Sequence, residues 1–289
     1  MTDDTTTNDL LNYAGKICVV TGAASGMGQA AARLLTGLGA EVIALDVRET
    51  PDPVAKFIRI DLADKDSIDA ALAEVPQRVD RVFSCAGIAG TIYAGRTFSE
   101  LDVLTINFIG ARSLIEGLIP RLPRDGSIAL IASTGGMRWQ TRKNLHLDFA
   151  RTDGFEAAQR WFGDHRDELE QTFTGLNFPY MMSKEALIVW MKYRAYTLSG
   201  QRIRLNAISP AATDTPMAED FSRNANGLRG SHISEVGVAS TPEQQARALI
   251  FLNSGLAGYV SGQDLQVDYA FTVKGLHEMA ATEPVDAAR

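Results

Sequence analysis

Short runs of apolar, mostly β-branched residues recur along this chain, with longer stretches of helical character between them. The runs are apolar at nearly every position instead of alternating, which is typical of strands buried on both faces of a sheet. Strands that alternate with helices predict an α/β fold, here a doubly wound sheet of parallel strands with helices on both faces. The predicted strands are residues 16–21, 41–46, 56–61, 80–85, 126–133, 202–209 and 264–269.

Two segments interrupt this alternation. Residues 137–178 are too long for a simple connection in a compact sheet, and within them residues 153–171 favour a helix that begins after a cap at Thr152 or Asp153. Residues 211–240 are rich in Gly, Ser and Asn and have weak periodicity. We expect the first segment to be a helical insertion and the second to be a mobile loop with one or two helical turns.

The two ends of the chain are predicted to lie outside the folded unit. Residues 1–13 are acidic and rich in Thr, without the basic start and apolar block of a signal peptide, so we expect a short disordered lead-in. Residues 273–289 follow the last predicted strand as a tail. Since open α/β sheets commonly reach about 250 residues as one unit, residues 14–272 are predicted to form a single domain.

Composition narrows the classes of partner. The chain is 45% hydrophobic, which supplies a large core, but no apolar stretch approaches the roughly 18 to 20 residues that span a bilayer. The net charge of -7 and the pI near 5.2 argue against nucleic acid and anionic membranes as partners, because both select basic patches. We therefore expect a soluble cytoplasmic protein that binds small molecules.

The cysteines and histidines do not suggest a metal site or a disulfide. Cys18 and Cys85 fall inside apolar runs and are interpreted as small core residues, which fits a reducing compartment. The four His residues show no ligand spacing. We expect no bound metal.

A glycine-rich turn is the first candidate binding site. Residues 21–28, TGAASGMG, connect the first predicted strand to a predicted helix, whose first N–H groups point towards one spot and favour an anion. Glycines would let a pyrophosphate approach the backbone, although a tight turn could also use Gly only for its φ angles. Asp46 ends the second predicted strand, where a carboxylate can accept hydrogen bonds from ribose hydroxyls and would repel a 2′-phosphate. This favours NAD over NADP; alternatively, Asp46 only caps the strand end.

Candidate catalytic groups lie later in the chain. Tyr180 and Lys184 are spaced so that they share one face of a helix, where the ammonium can stabilise a phenolate. A free Tyr, with a pKa of about 10, is too weak a base, and burial would raise that pKa further, so nearby positive charge must outweigh burial. Ser133 ends a strand at the carboxyl edge, where its hydroxyl could donate to a substrate oxygen or serve only as a turn residue.

These motifs, in this order, resemble the short-chain dehydrogenase/reductase family over roughly residues 14–272. The family's glycine motif, TGxxxGxG, is matched by Thr21, Gly22, Gly26 and Gly28. The resemblance implies a Rossmann-type fold with a seven-stranded parallel sheet, and hydride transfer between a nicotinamide cofactor and an alcohol or ketone. It also favours the functional interpretation of the paired Tyr and Lys over an incidental helical pair.

The resemblance implies a role for each site residue. The expected catalytic residues are Asn107, Ser133, Tyr180 and Lys184; Lys184 would also hold the nicotinamide ribose. Asn107 would hold a water that connects Lys184 to solvent, or would merely satisfy a backbone group. The implied cofactor contacts are Gly22, Ser25, Gly26, Met27, Gly28, Asp46, Asp61, Leu62, Ala86, Gly87, Tyr180, Lys184, Pro210, Thr213 and Thr215.

The chain departs from the family pattern in three places. Residues 84–87 read SCAG where the family has NNAG, so whatever the two Asn side chains do for the sheet must be done otherwise. Ala211 replaces the Gly of a PGxxxT segment. Tyr269 and Ala270 stand where two glycines usually close the last strand.

The insertion separates Ser133 from Tyr180 by about 35 residues more than is usual in the family. A similar enlargement occurs in a subgroup that resembles bacterial 3α-hydroxysteroid dehydrogenase/carbonyl reductase, which favours a bulky alicyclic or aromatic substrate. The insertion's aromatic residues could line such a substrate as a lid, or could form a core or a subunit contact. If the insertion covers the helices that carry Asn107 and Tyr180, a homodimer is expected; otherwise the family's homotetramer is retained.

The sequence therefore predicts an NAD-dependent oxidoreductase acting on a secondary alcohol or ketone. The alternative is a non-catalytic NAD-binding regulatory or scaffold protein on the same fold, suggested by the altered SCAG and SPAA segments. Retention of Asn107, Ser133, Tyr180 and Lys184 favours the enzyme, because a scaffold has no use for a paired Tyr and Lys.

Overall fold

The computed structural model of the protein describes residues 10–173, 177–224 and 233–282. One sheet of seven parallel strands, in the order β3-β2-β1-β4-β7-β8-β9, forms its centre and confirms the predicted doubly wound fold. A two-stranded antiparallel hairpin, β5–β6, was not predicted. The strands are β1 (Ile17–Thr21), β2 (Glu41–Asp46), β3 (Lys56–Arg59), β4 (Arg81–Ser84), β5 (Ile92–Tyr93), β6 (Arg96–Thr97), β7 (Ser127–Ile131), β8 (Arg204–Pro210) and β9 (Asp264–Val267).

Helices cover both faces of this sheet. The α-helices of the described residues are α1 (Gly26–Gly37), α2 (Lys65–Glu74), α3 (Glu100–Leu104), α4 (Gly110–Leu118), α5 (Lys143–Ala150), α6 (Gly154–Thr172), α7 (Phe178–Leu198), α8 (Met217–Asn224), α9 (Pro242–Asn253) and α10 (Lys274–Thr282). Helices α1 and α9 pack on one face, and α2, α4 and α7 pack on the other, each with its own apolar core. The strands are buried from both sides, which explains their nearly continuous apolar sequence.

A π-helical turn, Thr105–Ile109, joins α3 to α4. The whole segment Glu100–Arg121 is 22 residues long and, by length and composition only, apolar enough to cross a membrane. The segment is not one continuous apolar stretch, because it also carries Glu100, Asp102, Asn107, Arg112 and Glu116. Most of the segment is buried against the sheet and α7, and a core helix needs the same apolar residues.

The folded unit begins earlier than predicted. Tyr13, which was assigned to the disordered lead-in, is 1% exposed, and its hydroxyl donates to the Ile250 carbonyl at 2.8 Å. Its ring lies 6.2 Å from the ring of Phe83. Tyr13, with Leu11 partly buried beside it, thus belongs to the apolar core on the α1 and α9 face of the sheet.

The described part of the insertion contains two α-helices. Helix α6 corresponds to the helix predicted for residues 153–171 and begins directly after Asp153, whereas α5 was not predicted. Residues 174–176 lie outside the described residues. Helix α5 packs along α7, and α6 packs across the π-helical turn and the ends of α3 and α4.

The aromatic side chains of the insertion join the core beneath it. Phe149, Phe155 and Phe162 are buried, and Trp139 and Trp161 are partly buried, all in the cluster that contains residues of α4 and α7. The Phe149 ring lies between the rings of Phe108, at 4.9 Å, and Trp161, at 4.6 Å. The structure therefore favours the interpretation of the insertion as a cover over the helix pair.

Buried polar side chains hold α5 at its C-terminal end. Arg112 of α4 is 6% exposed, and its guanidinium donates to the Ala150 and Gly154 carbonyls at 3.0 and 2.8 Å and to the Thr152 hydroxyl at 3.2 Å. Burial lowers the pKa of Arg112. A cation placed at the carbonyl end of a helix stabilises it, since these carbonyls have no partners within the helix.

The start of α5 is held by a second group. The Glu185 carboxylate of α7 is buried and accepts from Arg142 Nε at 2.9 Å and from His146 Nε2 at 2.6 Å. Burial alone would raise the pKa of Glu185, but the hydrogen bonds from His146 and Arg142 lower it below its usual value. Each end of α5 is thus joined to a different helix of the main domain, α4 or α7.

The other two predicted irregular segments also contain helices. Helix α8 occupies part of the predicted loop 211–240, of which residues 225–232 lie outside the described residues. Helix α10 lies in the predicted tail 273–289, of which residues 283–289 lie outside them.

Candidate active site

The glycine-rich turn has no room for side chains. Gly22 has φ +68°, and a Cβ there would lie 2.8 Å from the Ala86 nitrogen. A Cβ on Gly28 would lie 2.2 Å from the Gly22 oxygen, so α1 starts in direct contact with the turn that precedes it. Gly26 has φ +58°, a left-handed conformation that Gly adopts at little cost. Each glycine of the motif is therefore required by backbone geometry.

The first turn of α1 is open to an anion. Its N-cap, Ser25, is extended and makes no side-chain capping bond, and α1 carries no acidic residue in its first turn. Thr215 lies beside this helix start, since its Cγ2 is 3.4 Å from the Cβ position of Gly26. Met27 packs partly buried into the core under α1. Unpaired N–H groups at a helix N-terminus, with glycine on the approach, suit the diphosphate of a dinucleotide.

Asp46 lies next to this turn, as predicted. Its Oδ2 accepts the Ala24 N–H and its Oδ1 accepts the Arg48 N–H, both at 3.0 Å. Each carboxylate oxygen keeps a further lone pair for a ribose hydroxyl. Asp46 thus joins the end of β2 to the glycine turn and remains able to bind a ligand there.

Asp61 and Leu62 follow β3 at the same edge of the sheet. Asp61 is exposed, and its Oδ1 accepts the Ala63 N–H at 2.9 Å. Leu62 is 5% exposed, and its carbonyl lies only 2.0 Å from where a Cβ of Gly110 would be. Their backbone is therefore fixed against the start of α4.

Thr21 holds the backbone of the SCAG segment, where the family has two Asn side chains. Its buried hydroxyl accepts the N–H groups of Cys85 and Ala86 at 3.0 and 3.1 Å and so fixes the end of β4 beside β1. The sequence identified Thr21 only as part of the motif. Its neighbour Gly22 lies against the Ala86 backbone, and Thr21 and Gly22 together fix the position of Ala86 beside the glycine turn.

Asn107 stabilises the backbone that follows Gly87. Its Oδ1 accepts the Ile88 N–H at 2.8 Å, and its Nδ2 donates to the Ile88 carbonyl at 3.0 Å and to Ser183 Oγ at 3.3 Å. A Cβ on Gly87 would lie 3.0 Å from Asn107 Oδ1 and 3.7 Å from Lys184 Nζ. The Asn107 side chain therefore satisfies the backbone groups of Ile88, which was one of the two roles considered from the sequence. Its other role, holding a water next to Lys184, stays a prediction.

Ser133, Tyr180 and Lys184 come together at the carboxyl edge of the sheet. The Cβ position of Gly135 lies 3.3 Å from Ser133 Oγ and 3.4 Å from Tyr180 Cε1. Lys184 Nζ lies 5.6 Å from the centroid of the Tyr180 ring and donates to the Ile131 carbonyl at 3.0 Å. The parallel sheet supplies Ser133 after β7, and α7 supplies the other two from one face, as the spacing predicted.

Burial dominates the titration of this group. It raises the pKa of Tyr180 to about 12, while a hydrogen bond with Ser133 acts in the opposite direction. Burial also lowers the pKa of Lys184 to about 8. The expectation that positive charge outweighs burial at Tyr180 is therefore wrong for the protein groups alone, and the phenol is neutral at neutral pH.

Tyr180 belongs to a small apolar cluster. Its buried members are Ile88, Val103 and Tyr180, and Tyr93, Phe98, Ile106 and Phe221 pack against it. The Phe221 ring of α8 meets the Tyr180 ring edge to face, with centroids 4.9 Å apart. This surface excludes water from the phenol and offers no charge to a ligand.

The segment after β8 is anchored to the start of α9. Pro210 pairs with Val267 of β9, and Thr213 Oγ1 lies 3.0 Å from Ser240 Oγ. The Ser240 carbonyl accepts the Asp214 N–H at 2.8 Å. Ser240 was not identified from the sequence, because it lies 27 residues from Thr213 and no motif connects the two.

The end of β9 keeps its left-handed backbone without glycine. Tyr269 and Ala270 have φ +49° and +67°. Asp268 offsets part of the steric cost, because its carboxylate accepts the Ala270 N–H at 3.0 Å and the Thr272 N–H at 2.8 Å. Tyr269 and Ala270 thus adopt a backbone conformation that glycine reaches at lower cost.

Within the residues that the structure describes, no group of three or more His, Cys, Asp or Glu side chains is arranged to hold a metal ion. Cys18 is buried, Cys85 is partly buried, and both are free thiols. Burial raises the pKa of Cys85 to about 12, so its thiol is protonated and unreactive at neutral pH.

Comparison with known proteins identifies the family. Residues 16–144 match the family model described as short chain dehydrogenase, and residues 167–272 match the model described as enoyl-(acyl carrier protein) reductase. The chain is 31% identical to coniferyl-alcohol dehydrogenase of Pseudomonas sp. over 212 residues, which are 73% of this chain and 78% of that one. This protein belongs to the short-chain dehydrogenase/reductase family. The resemblance stated from the sequence is thereby confirmed.

Two further relatives cover most of the chain. The 3-alpha-hydroxysteroid dehydrogenase/carbonyl reductase of Comamonas testosteroni is 28% identical over 262 residues, 87% of this chain and 95% of that one. The crystal structure of the 3-alpha-hydroxysteroid dehydrogenase from Pseudomonas sp. B-0831, complexed with NADH, superposes with a TM-score of 0.74 at 23% identity and covers 93% of this chain and 100% of its own. The latter likeness shows the shared fold, and membership of the family makes the protein an oxidoreductase of the short-chain type.

Proposed function

We propose that this oxidoreductase is an NAD-dependent alcohol dehydrogenase and ketone reductase that acts on bulky apolar, alicyclic or aromatic substrates. The observation that supports this most is the convergence of Ser133, Tyr180 and Lys184 within an apolar surface at the carboxyl edge of the sheet. Open α/β sheets bind their ligands at this edge.

NAD is the cofactor that these residues fit. The glycines between Gly22 and Gly28 leave the backbone open to close approach by a diphosphate, and no side chain caps the first turn of α1. Asp46 suits the adenosine ribose hydroxyls, Asp61 and Leu62 suit the adenine, and Lys184 suits the nicotinamide ribose. When bound, NAD accepts a hydride from an alcohol carbon or returns it to a ketone.

The protein residues would manage the proton. Tyr180 donates its phenol proton to the ketone oxygen in reduction, and in oxidation its phenolate form takes the proton from the alcohol. Ser133 donates a hydrogen bond to the same oxygen as charge develops on it. Because the pKa of Tyr180 is raised to about 12, the neutral phenol is an acid ready for reduction, and oxidation should accelerate as the pH rises.

The substrate class follows from the surface around Tyr180. The Phe221 ring meets the Tyr180 ring edge to face, and Ile88 and Phe98 lie in the same apolar cluster. The relatives are named for an aromatic alcohol and for a hydroxysteroid, two ring compounds of low polarity. A bulky ring would displace water from this surface and be held mainly by apolar contact.

The first experiment screens alicyclic and aromatic alcohols with NAD and NADP, following reduced cofactor at 340 nm. We expect turnover with NAD, and a preference over NADP of at least about tenfold in kcat/KM because Asp46 repels the 2′-phosphate. Equal kcat/KM with both cofactors would contradict the role of Asp46. Binding of NADH without turnover of any ring alcohol or ketone would favour a non-catalytic protein.

The second experiment removes the proton donor. Tyr180→Phe should retain NADH binding and lose about 10² to 10⁴ in turnover, the range typical of general acid–base catalysis. Tyr196→Phe is the matched control, since Tyr196 lies on the same helix and is 83% exposed. Full turnover in Tyr180→Phe would show that another group handles the proton.

A further inference from the structure

A groove of about 510 Å³ lies between the β5–β6 hairpin and α8 and contains none of the proposed catalytic residues. Arg48, Tyr93, Arg96, Glu219 and Asp220 are among the residues that line it. It extends from the hairpin to the segment after β2, where Arg48 follows Asp46. The groove therefore runs beside the adenosine end of the proposed cofactor site.

The hairpin and α8 are joined at their tips. Asp220 of α8 is 4% exposed, and its Oδ2 accepts the Ala94 N–H at 3.1 Å. Ala94 and Gly95 form the hairpin turn and have φ +48° and +74°. This bond fixes the hairpin, on one side of the groove, to α8 on the other.

Tyr93 lies near both the catalytic tyrosine and the charged groups that line the groove. Its ring packs against the apolar cluster that contains Tyr180. Burial raises the pKa of its phenol, on which the charges of Arg48, Asp220 and Asp46 also act. The side chain thus lies between the catalytic tyrosine and the end of β2.

A dinucleotide with its adenosine at Asp46 and its nicotinamide at Tyr180 must pass between these two ends, where its diphosphate meets the start of α1. We propose that the β5–β6 hairpin closes over this diphosphate and that Arg96 and Arg48 bind its phosphate oxygens. This inference rests on the proposed function. It gives the hairpin a role in holding the cofactor, in addition to the turn beneath.

The charges of the groove support this assignment. Both guanidinium groups lie on the hairpin and β2 sides, and guanidinium forms strong paired hydrogen bonds with phosphate oxygens. The two carboxylates lie on α8, and Asp220 is already engaged by Ala94. Arg48 Nη2 also lies 3.5 Å from Ser25 Oγ, the N-cap of α1, so this guanidinium stands at the helix end where the phosphates bind.

The test compares Arg96→Gln with Arg160→Gln, a matched change at an exposed arginine of α6 on the insertion. NADH affinity is measured by fluorescence, and affinities for ADP-ribose and adenosine by calorimetry. We expect Arg96→Gln to weaken NADH and ADP-ribose about tenfold, to leave adenosine unchanged, and to lose part of this effect at high salt. Arg96→Lys should recover part of the affinity.

Three results would overturn the inference. Equal NADH affinity in Arg96→Gln and Arg160→Gln would show that Arg96 does not touch the cofactor. Equal losses for adenosine and ADP-ribose would place the contact away from the diphosphate. If the native protein bound no NADH at all, the proposed function would fail first, and this outcome is seen before any variant is made.

Discussion

The glycine turn at residues 22–28 and the insertion that carries α5 and α6 are held in place by opposite means. In the turn, backbone lies against backbone, and a single added carbon on Gly28 would overlap the Gly22 carbonyl. In the insertion, charged side chains from α4 and α7 reach under α5 and bind both its ends. The turn depends on the absence of side chains, whereas the insertion depends on a few that are buried.

This difference decides where each region is vulnerable. The insertion should fail when one buried polar partner is removed, because the remaining partners lose their hydrogen bonds in a low dielectric. The turn should fail when a carbon is added at Gly22 or Gly28. Variants of each kind, with controls at open helical positions, can separate the two modes.

The largest effect is expected at the insertion. Glu185→Ala leaves Arg142 and the fully buried His146 without their carboxylate, and should cost about 3 kcal/mol in the free energy of unfolding measured with urea. Glu168→Ala, at an exposed position of α6, is the control. If both variants unfold at the same urea concentration, the apolar core alone holds the insertion.

A smaller effect is expected in the turn. Gly28→Ala should cost about 2 kcal/mol in unfolding free energy and weaken NADH binding, because the backbone of Gly22 must move away. Gly163→Ala is the control, since no atom lies within 4 Å of its Cβ position in α6, and there Ala should be neutral or stabilising. Unchanged stability and NADH binding in Gly28→Ala would contradict the tight contact.

The smallest effect concerns assembly. Because the insertion covers α4 and the first half of α7, we propose a homodimer built on α9 and β9, with a mass near twice 31.3 kDa by light scattering. Leu265→Asp, on β9 and 38% exposed, should raise the dimer dissociation constant about tenfold. Tyr196→Asp, at the exposed end of α7, should not change it. A mass near four times 31.3 kDa would refute the blocked interface.

Local patterns account for what could be predicted. The strands could be predicted because burial on both faces makes them continuous apolar runs. The site residues could be predicted because the glycines, Ser133 and the Tyr180–Lys184 pair lie in short motifs. In contrast, the residues that hold α5 in place bond to partners about 40 residues away: Arg112 to Ala150, and His146 to Glu185. The sequence around Arg112 or Glu185 has no feature that would distinguish these buried residues from exposed ones. Pairing at that distance has no periodic signal.

Other features were missed because they depend on three-dimensional surroundings. The hairpin strands have only two residues each, too few to show alternation. The raised pKa of Tyr180 depends on how fully α8 and its neighbours cover the phenol. The spacing between Tyr180 and Lys184 in the sequence gives no information about this burial. Asn107 and Thr21 stand in recognisable motifs, yet their bonding partners, Ile88 and Ala86, appear only in the folded chain.

The two anchors of α5 also bear on the order in which the chain folds as it is synthesised. Arg112 with Ala150, and Arg142 with Glu185, close within the stretch that precedes β8, so the insertion can dock on α4 and α7 before the last strands leave the ribosome. The Tyr13 hydroxyl bonds to Ile250, 237 residues later, and must wait. We expect the insertion to pack on α4 and α7 first and β8 and β9 to join the sheet afterwards. The contact between Tyr13 and Ile250 should form last.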